Sequence, residues 1–415
     1  MKKVFAILTA AILIILAIYG AISFTKSAKH ASKSPNEVIF WTLQMNDFAD
    51  YMNGVISEFE SQNPDIKVKW IDVPFSEGEK RTLAAVLSDN PPDLINLNPD
   101  FSATLAQKGT LYEIPVADTA QFNDELIESL TYNGKLYSLP WYATSAVTIY
   151  NKDLIKKAGV EVPKTYEEIG KIAQAIKQKT GAYAFLPNIT ENDTMLKILN
   201  KYGVSSPEML DSEKSAQVFE FFKELYSENL IPRESITQTH REALEKYMSE
   251  KIVLFQAGAN FLNMIKENAP STYKNTDVAP QIIGDLGQND FSLMNFVIPI
   301  RAKHKDSALK FALFLTNEKN QLELAKLTNV IATNKIALKD DFYTRYDEGD
   351  LMAKARVLSA NQLNKVQPAL KPMRNQKDIN NLINAAVQEV LLDKTDTKSA
   401  LSTLSKKVRP YTSFD

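Results

Sequence analysis

The first hundred residues alternate between the two hydrophobic periods that mark strands and helices. Residues 38–41 form a short apolar run typical of a buried strand, and apolar positions recur at three- and four-residue steps over 48–60, which indicates a helix. Residues 66–71 alternate apolar and charged side chains, which predicts a strand with one solvent-exposed face. Residues 83–87 fit a second helix, and 93–97 form a short apolar strand. Strands alternating with helices predict an α/β fold built from βαβ units around a largely parallel sheet.

The rest of the chain is richer in predicted helix. Thr165 has the side chain of an N-cap for a helix over 166–179, with Glu168 at the reciprocal capping-box position. A chain of 415 residues is too long for one ordinary core, so two domains are expected. The further predicted elements are helices at 212–225, 242–248, 307–315, 320–327 and 378–392, and strands at 252–255 and 296–300.

The N-terminus has the layout of a secretory signal peptide. Lys2 and Lys3 precede an uncharged stretch over residues 4–22, and a Ser/Lys/Ala-rich linker follows. At about 1.5 Å per helical residue the stretch reaches roughly 28 Å, so an uncleaved membrane anchor fits as well as a peptide cleaved after Ser23. A lipoprotein is excluded because the chain has no cysteine. Residues 1–33 are expected to be leader or anchor plus linker, and both alternatives place the body in the periplasm or at the cell surface.

The composition excludes several kinds of chemistry. Without cysteine there can be no disulfide, thiolate metal site or iron–sulfur cluster. The three histidines, His30, His240 and His304, are far apart and form no metal-binding motif, so neither a metal nor a cofactor is expected. The net charge of −2 offers no basic surplus for a nucleic-acid partner.

Several sequence phrases occur in an order that is specific in combination. They are FESQNPDIKV at 59–68, LAQKGTL at 105–111, GKLYSLPW at 134–141, IYNKDL at 149–154, PKTYEEI at 163–169 and the helix FALFLTNEKNQ at 311–321. In this order the chain resembles bacterial ABC-transporter extracellular solute-binding proteins of the sugar-binding, maltose-binding-protein-like class. Two positions depart from the family pattern: Phe261 stands where tryptophan is usual, and Met294-Asn295 stands where Gly-Gly is common.

This resemblance implies a two-lobed, type II periplasmic-binding-protein-like fold with a ligand cleft between the lobes. The expected first lobe comprises 34–145 and 298–342, and the second comprises 146–297 and 343–415. Hinge segments are expected at 143–148, 293–297 and 337–343. Lobe closure would trap the ligand, and the closed form would be recognised by ABC permease subunits in the membrane. Such a receptor carries out no catalysis, and its membrane association would come through the permease and an N-terminal anchor, if one is retained.

Sugars are recognised by aromatic faces and by planar polar side chains. Several residues of these types follow predicted strands, where open sheets place ligands. Three have structural alternatives: Trp41 as core, Asp100 as a cap of a helix beginning near Ser102, and Arg374 as a surface ion-pair partner. The candidate ligand-binding residues are Trp41, Gln44, Asn46, Asp100, Trp141, Tyr142, Asn260, Phe261, Asn295 and Arg374.

Other functions stay open on the sequence alone. The same fold could bind a polyamine or an organic anion, or hand its ligand to a sensor instead of a permease. An exported glycan-active enzyme would need two positioned carboxylates. The sequence contains no nucleophile elbow, phosphate loop or metal motif. The supply of aromatic and amide side chains favours a neutral sugar or oligosaccharide.

Overall fold

The computed structural model describes residues 36–74, 77–363 and 376–411. The predicted leader or anchor over residues 4–22 and the candidate Arg374 lie outside the described residues. No helix within the described ranges is both long and apolar enough to cross a membrane.

The strands form two main sheets and one hairpin. Strand order is β12-β6-β11-β3-β1-β2 in a six-stranded sheet and β10-β7-β9-β8 in a four-stranded sheet, while β4 and β5 form the hairpin. In chain order the strands are β1 (Asn36–Leu43), β2 (Ile66–Val73), β3 (Leu94–Leu97), β4 (Thr131–Tyr132), β5 (Lys135–Leu136), β6 (Ser138–Thr144), β7 (Val147–Asn151), β8 (Tyr183–Phe185), β9 (Ile252–Ala257), β10 (Thr276–Pro280), β11 (Ser292–Val297) and β12 (Ile331–Ala332).

Helices cover both main sheets, which makes the fold α/β. The helices near the six-stranded sheet are α1 (Ala49–Gln62), α2 (Gly78–Val86), α3 (Pro99–Gln107), α4 (Asp124–Ser129), α12 (Lys305–Leu315), α13 (Glu318–Thr328) and α14 (Asp341–Thr344). Those near the four-stranded sheet are α5 (Lys152–Ala158), α6 (Tyr166–Thr180), α7 (Thr194–Lys201), α8 (Glu213–Ser227), α9 (His240–Met248), α10 (Phe261–Asn268), α11 (Pro270–Lys274), α15 (Leu351–Gln362), α16 (Gln376–Leu391) and α17 (Thr397–Val408).

The six-stranded sheet and its helices make up the first lobe. Alternation along β1 directs Phe40 into a core where its ring meets Phe296 and Phe311 edge-on, at 5.7 and 5.3 Å between ring centres. The opposite face of the sheet packs Ile95 and Leu97 with the apolar faces of α2 and α3. Burial on both faces explains why β3 reads as a continuous apolar run in the sequence.

The four-stranded sheet and its helices make up the second lobe. One large core lies among α5, α6, α7, α8, α16 and α17. A smaller core on the other side packs Tyr247 and Leu262 with the strands and with Ala355 of α15. Tyr247 is fully buried, and its hydroxyl is hydrogen-bonded to the Thr276 hydroxyl at 2.9 Å.

The predicted helices and strands agree with the structure better than the predicted direction of strand pairing does. Strand β1 pairs in parallel with β2 and β3, but β11 pairs antiparallel with β3 and β6, and β12 antiparallel with β6. The prediction of a largely parallel sheet is therefore wrong. The physical reason is that β11 enters the first lobe on the chain's return from the second lobe and so runs opposite to β3.

Two predicted details are also corrected. The strand expected at 296–300 begins earlier, at Ser292, and ends at Val297. The Thr165 hydroxyl caps α6 as predicted by accepting from the Glu168 N–H at 3.2 Å. A capping box would have the Glu168 carboxylate accept from the N–H of Thr165. It instead accepts from the N–H of the preceding residue, Lys164, at 2.6 Å.

Within the described ranges, three segments cross between the lobes. The first joins β6 to β7 through Ser145 and Ala146, within the predicted hinge at 143–148. The second runs from β10 to β11 over residues 281–291, so it precedes the predicted hinge at 293–297, which lies inside β11. The third is α15, whose Leu358 packs in the second lobe and whose Ala360 packs in the first. Residues 337–343, predicted as the third crossing, instead contribute Ala337 and Tyr343 to the first-lobe core.

Candidate functional site

A cleft lies where the two lobes face each other. It contains three adjoining cavities of about 240, 180 and 400 Å³. Lys197 and Asp290 line all three cavities, so the cavities are parts of one site. The 400 Å³ cavity alone is within the about 300–1,000 Å³ typical of ligand pockets, and the two smaller ones adjoin it.

The first-lobe wall is built at the end of β3. Asn98 caps α3 by accepting from the Phe101 N–H at 2.8 Å, with Pro99 at the first helical position. The alternative that Asp100 caps this helix is wrong, because Asn98 fills that role. Asp100 is exposed and lines the 240 Å³ cavity together with Asn98 and, from α4, Ser129.

The second-lobe wall carries a lysine among carboxylates. Lys197 on α7 forms an ion pair with Asp193 at 3.1 Å. Burial disfavours its charged form, but the carboxylates of Asp193, Asp290 and Asp100 outweigh that effect and hold the pKa of Lys197 above its usual value. One turn further along α7, Lys201 lies 3.4 Å from Asp290. Each ammonium in this part of the cleft therefore has a carboxylate partner within the protein.

Aromatic rings line the neighbouring part of the second lobe. His240, the first residue of α9, stacks on Phe255 with 4.7 Å between ring centres, and Phe261 meets His240 edge-on at 5.0 Å. Burial lowers the pKa of His240 below its usual value, against the opposing effect of Glu191. Phe291, on the second crossing, adds a partly buried ring between the lobes. The cleft thus offers aromatic surface together with polar side chains.

The structure brings three sequence candidates into the cleft. Asp100 comes from the first lobe, and Asn260 and Phe261 come from the start of α10 in the second. Sequence reasoning missed Asp193, Lys197, His240, Asp290 and Phe291. Asp193 and Lys197 had a signal, four-residue spacing on a polar helix face, but that spacing is common to exposed helices.

Two candidates lie in the protein interior. Trp141 has no exposed surface and stacks on Phe296 at 4.7 Å, so the prediction that it contacts ligand is corrected to a core role in the first lobe. Asn295 is also fully buried, and its amide donates to the Ser102 hydroxyl at 2.7 Å beneath α3. Neither residue lines any of the three cavities.

The other candidates within the described ranges lie outside the three cavities. Trp41 on β1 is partly buried under Arg81, whose guanidinium is 5.2 Å from the ring centre. Tyr142 packs against the first-lobe core, and burial raises its pKa to about 12. Gln44 and Asn46 are exposed in the loop after β1. Because β1 and β3 are parallel neighbours, this loop lies at the same sheet edge as Asn98 and Asp100.

Acidic side chains and histidines do not gather into a metal site here. In the described ranges, no group of three or more such side chains could hold a metal ion. Two carboxylates of the cleft, Asp193 and Asp290, instead pair with Lys197 and Lys201.

The sequence and the structure are similar to those of known solute-binding proteins. The chain matches the family model described as bacterial extracellular solute-binding protein over residues 54–351. It is 28% identical to the maltodextrin-binding protein of Bacillus subtilis over 49% of this chain and 48% of that relative. It is 24% identical to the galactooligosaccharide-binding protein of the same bacterium over 91% of this chain and 89% of that relative. A crystal structure of a Synechococcus periplasmic-binding protein superposes with a TM-score of 0.81 at 29% identity, covering 90% of this chain and 98% of that one.

The match to the Bacillus maltodextrin-binding protein spans about half of that relative, whereas the other two similarities extend over nearly the whole of each protein. The matching family is a type of solute-binding protein and not a class of enzymes. Its model covers well over half of the chain, including most of the first lobe and the second-lobe sheet. The protein therefore belongs to the family of bacterial extracellular solute-binding proteins.

Proposed function

We propose that this protein is the substrate-binding subunit of an ABC importer and that it captures a neutral sugar or oligosaccharide in the cleft. The observation that carries the proposal is a cleft between two lobes that combines aromatic rings with internally paired charges. One relative, matched over 49% of the chain, is named for maltodextrin binding, and another, matched over 91%, for galactooligosaccharide binding, which supports the same ligand class.

The charge pairing favours a neutral ligand over a charged one. Asp193 pairs with Lys197 at 3.1 Å, and Asp290 with Lys201 at 3.4 Å. An organic anion would have to compete with these carboxylates for an ammonium group, and a polyamine would have to compete with the lysines for a carboxylate. Sugar hydroxyls can instead donate to the carboxylates and accept from the lysines while the ion pairs persist.

The aromatic rings and amides supply the remaining contacts. Phe261, His240 and Phe291 offer apolar surface to the C–H faces of sugar rings, and Asn260 and Gln256 offer planar donors and acceptors. On lobe closure, Gln44 and Asn46 would extend the first-lobe side of the site from the edge shared with Asp100. The candidates for ligand contact in the closed form also include Arg374, Trp41 and Tyr142.

The proposed lobe division follows the two sheets. Among the described residues, the first lobe would comprise 36–74, 77–145 and the segment from β11 to α14, so its second part would begin at Ser292 and not at residue 298. The second would comprise the segment from β7 to β10 and the chain from α15 to the C-terminus. The closed form would present both lobes to permease subunits at the membrane, outside the cytoplasm, and release the ligand unchanged.

A thermal-shift screen tests the ligand class. Purified protein would be heated with maltotriose, galactosyl oligosaccharides, spermidine and citrate in turn, because a ligand that binds only the folded state raises the melting temperature. We expect a rise with a carbohydrate that is lost in Phe261→Ala. The matched control is Phe342→Ala, a partly buried phenylalanine of the first lobe that packs on Arg356.

The same screen can also contradict the proposed ligand class or the assignment as a non-catalytic receptor. A rise with spermidine or citrate and none with carbohydrates would retain the receptor and overturn the neutral-sugar proposal. Conversion of a bound carbohydrate to a product, followed by chromatography, would overturn the assignment as a non-catalytic receptor.

A further inference from the structure

A buried polar cluster joins the three segments that cross between the lobes. Ser145 comes from the first crossing, Gln281 from the second and Gln362 from α15, and each is at most 6% exposed. Lys201 of α7 adds a buried ammonium, 4% exposed, and Asp290 links the group to the cleft. We call these five residues the hinge cluster.

The Gln281 side chain is the centre of the hinge cluster. Its amide nitrogen donates to the Ser145 hydroxyl and to the Asp290 carbonyl, both at 3.0 Å. Its amide oxygen accepts from the Asp290 N–H at 3.1 Å and from the Lys201 ammonium at 3.0 Å. All four hydrogen-bonding positions of this amide are used. A buried amide satisfied in this way fixes the position of each partner.

Gln362 ties the third crossing to the other two. Its amide nitrogen donates to the Ser145 hydroxyl at 2.9 Å and to the Ala146 carbonyl at 2.8 Å, and its amide oxygen accepts from the Gln281 N–H at 2.7 Å. Backbone groups that leave a sheet need other partners when they are buried, and these side chains supply them. Independent movement of one crossing would leave buried polar groups unsatisfied.

Lys201 connects the hinge cluster to the ligand cleft. Its ammonium lies 3.4 Å from the Asp290 carboxylate and donates to the Ile282 carbonyl at 2.7 Å. Asp290 lines all three cavities, so one buried cation contacts both a cleft carboxylate and the central amide of the cluster.

We infer that Lys201 and Gln281 are positioning residues that hold Asp290 in the cleft and make the three crossings turn as one unit. Ligand contact at Asp290 then biases the lobes toward closure through the hinge cluster. The identity of the ligand rests on the proposed function, but the coupling of the crossings does not. It can therefore be tested without any ligand.

The test measures the distance between the lobes in the ligand-free protein. Because the chain has no cysteine, Glu128→Cys and Asn263→Cys place two spin labels on exposed positions, one beside each wall of the cleft. Pulsed electron paramagnetic resonance then gives the distribution of label separations. We expect Lys201→Met to widen this distribution at least about twofold, because the crossings lose their common restraint.

Two further variants make the result decisive. Ser145→Ala removes a shared hydroxyl without changing charge and is expected to widen the distribution too, so it decides the question if Lys201→Met does not fold. Lys214→Met is the matched control: it removes an exposed ion pair with Asp285 on the same second crossing but leaves the hinge cluster intact. Widths in Lys201→Met and Ser145→Ala equal to that of Lys214→Met would overturn the inference.

A second readout follows once a carbohydrate is found to bind. Lys201→Met is expected to weaken that carbohydrate's affinity about tenfold, while Lys214→Met leaves it unchanged. Equal affinity in both variants would contradict the positioning role. Absence of carbohydrate binding in the unmutated protein would count against the proposed function alone, since the ligand-free distances stand by themselves.

Discussion

At the scale of single residues, the molecule separates aromatic side chains that pack from those that face the cleft. Trp141 lies within β6 and is fully buried on Phe296, whereas Phe261 is the first residue of α10 and lines the cleft beside His240. The difference comes from the element that carries each ring: β6 places Trp141 in the first-lobe core, and the start of α10 places Phe261 at the cleft. Burial, not residue type, therefore decides which aromatic is available to a ligand.

Replacement of Trp141 tests its core role. Trp141→Ala is expected to destabilise the first lobe by about 3–5 kcal/mol, because a large buried ring leaves a cavity. The urea-unfolding transition followed by circular dichroism measures the change. Trp70→Ala is the control, since Trp70 lies partly exposed on edge strand β2, and its loss should be smaller. Equal losses in the two variants would contradict the assignment of Trp141 to the core.

His240 makes the stability of the fold depend on pH. Burial lowers its folded-state pKa below the ordinary value of 6.5, so the unfolded chain takes up a proton first as pH falls. Stability is therefore expected to decline from about pH 6.5 until the pH falls below the folded-state pKa. His240→Phe keeps a ring on Phe255 and should reduce this decline in melting temperature between neutral and mildly acidic pH. His304→Asn, the control, should leave it unchanged; a decline unaltered in His240→Phe would contradict the assignment.

At the scale of elements, the sequence predicted the features that depend on neighbouring residues, such as the bounds and caps of helices. The helix over 166–179 appears as α6 (Tyr166–Thr180) with Thr165 as its N-cap. Element order was accessible because periodicity and caps are local, whereas strand direction depends on where the chain returns from the other lobe. The same limit applies to the site: Asp100, Asn260 and Phe261 follow strands, but Asp290 and Phe291 lie on a crossing whose place only the tertiary structure fixes.

The cap of α6 gives a prediction at this scale. Thr165→Ala removes the acceptor for the Glu168 N–H and is expected to cost about 1 kcal/mol of stability. Thr165→Ser, the matched control, keeps the hydroxyl and should stay close to the unmutated protein. Urea unfolding of the second lobe measures both, and equal stability of the alanine and serine variants would show that the cap contributes nothing.

At the scale of the whole molecule, two lobes share one ligand site and three crossings. Asp100 stands on the first lobe, Lys197 on the second and Asp290 on a crossing, so a ligand that contacts all three must bring the lobes together. We propose that the aromatic rings and paired charges select a neutral ligand and that the hinge cluster governs how the lobes turn. Capture and movement are thus properties of one connected site.

Lobe closure on ligand binding tests this account most directly. With spin labels at Glu128→Cys and Asn263→Cys, the label separation is measured before and after addition of the carbohydrate that gives the largest thermal shift. We expect the whole distribution to shift to shorter distances, and we expect no shift when Phe261→Ala is present. A bound carbohydrate that leaves the distribution unchanged would contradict capture of the ligand between the lobes.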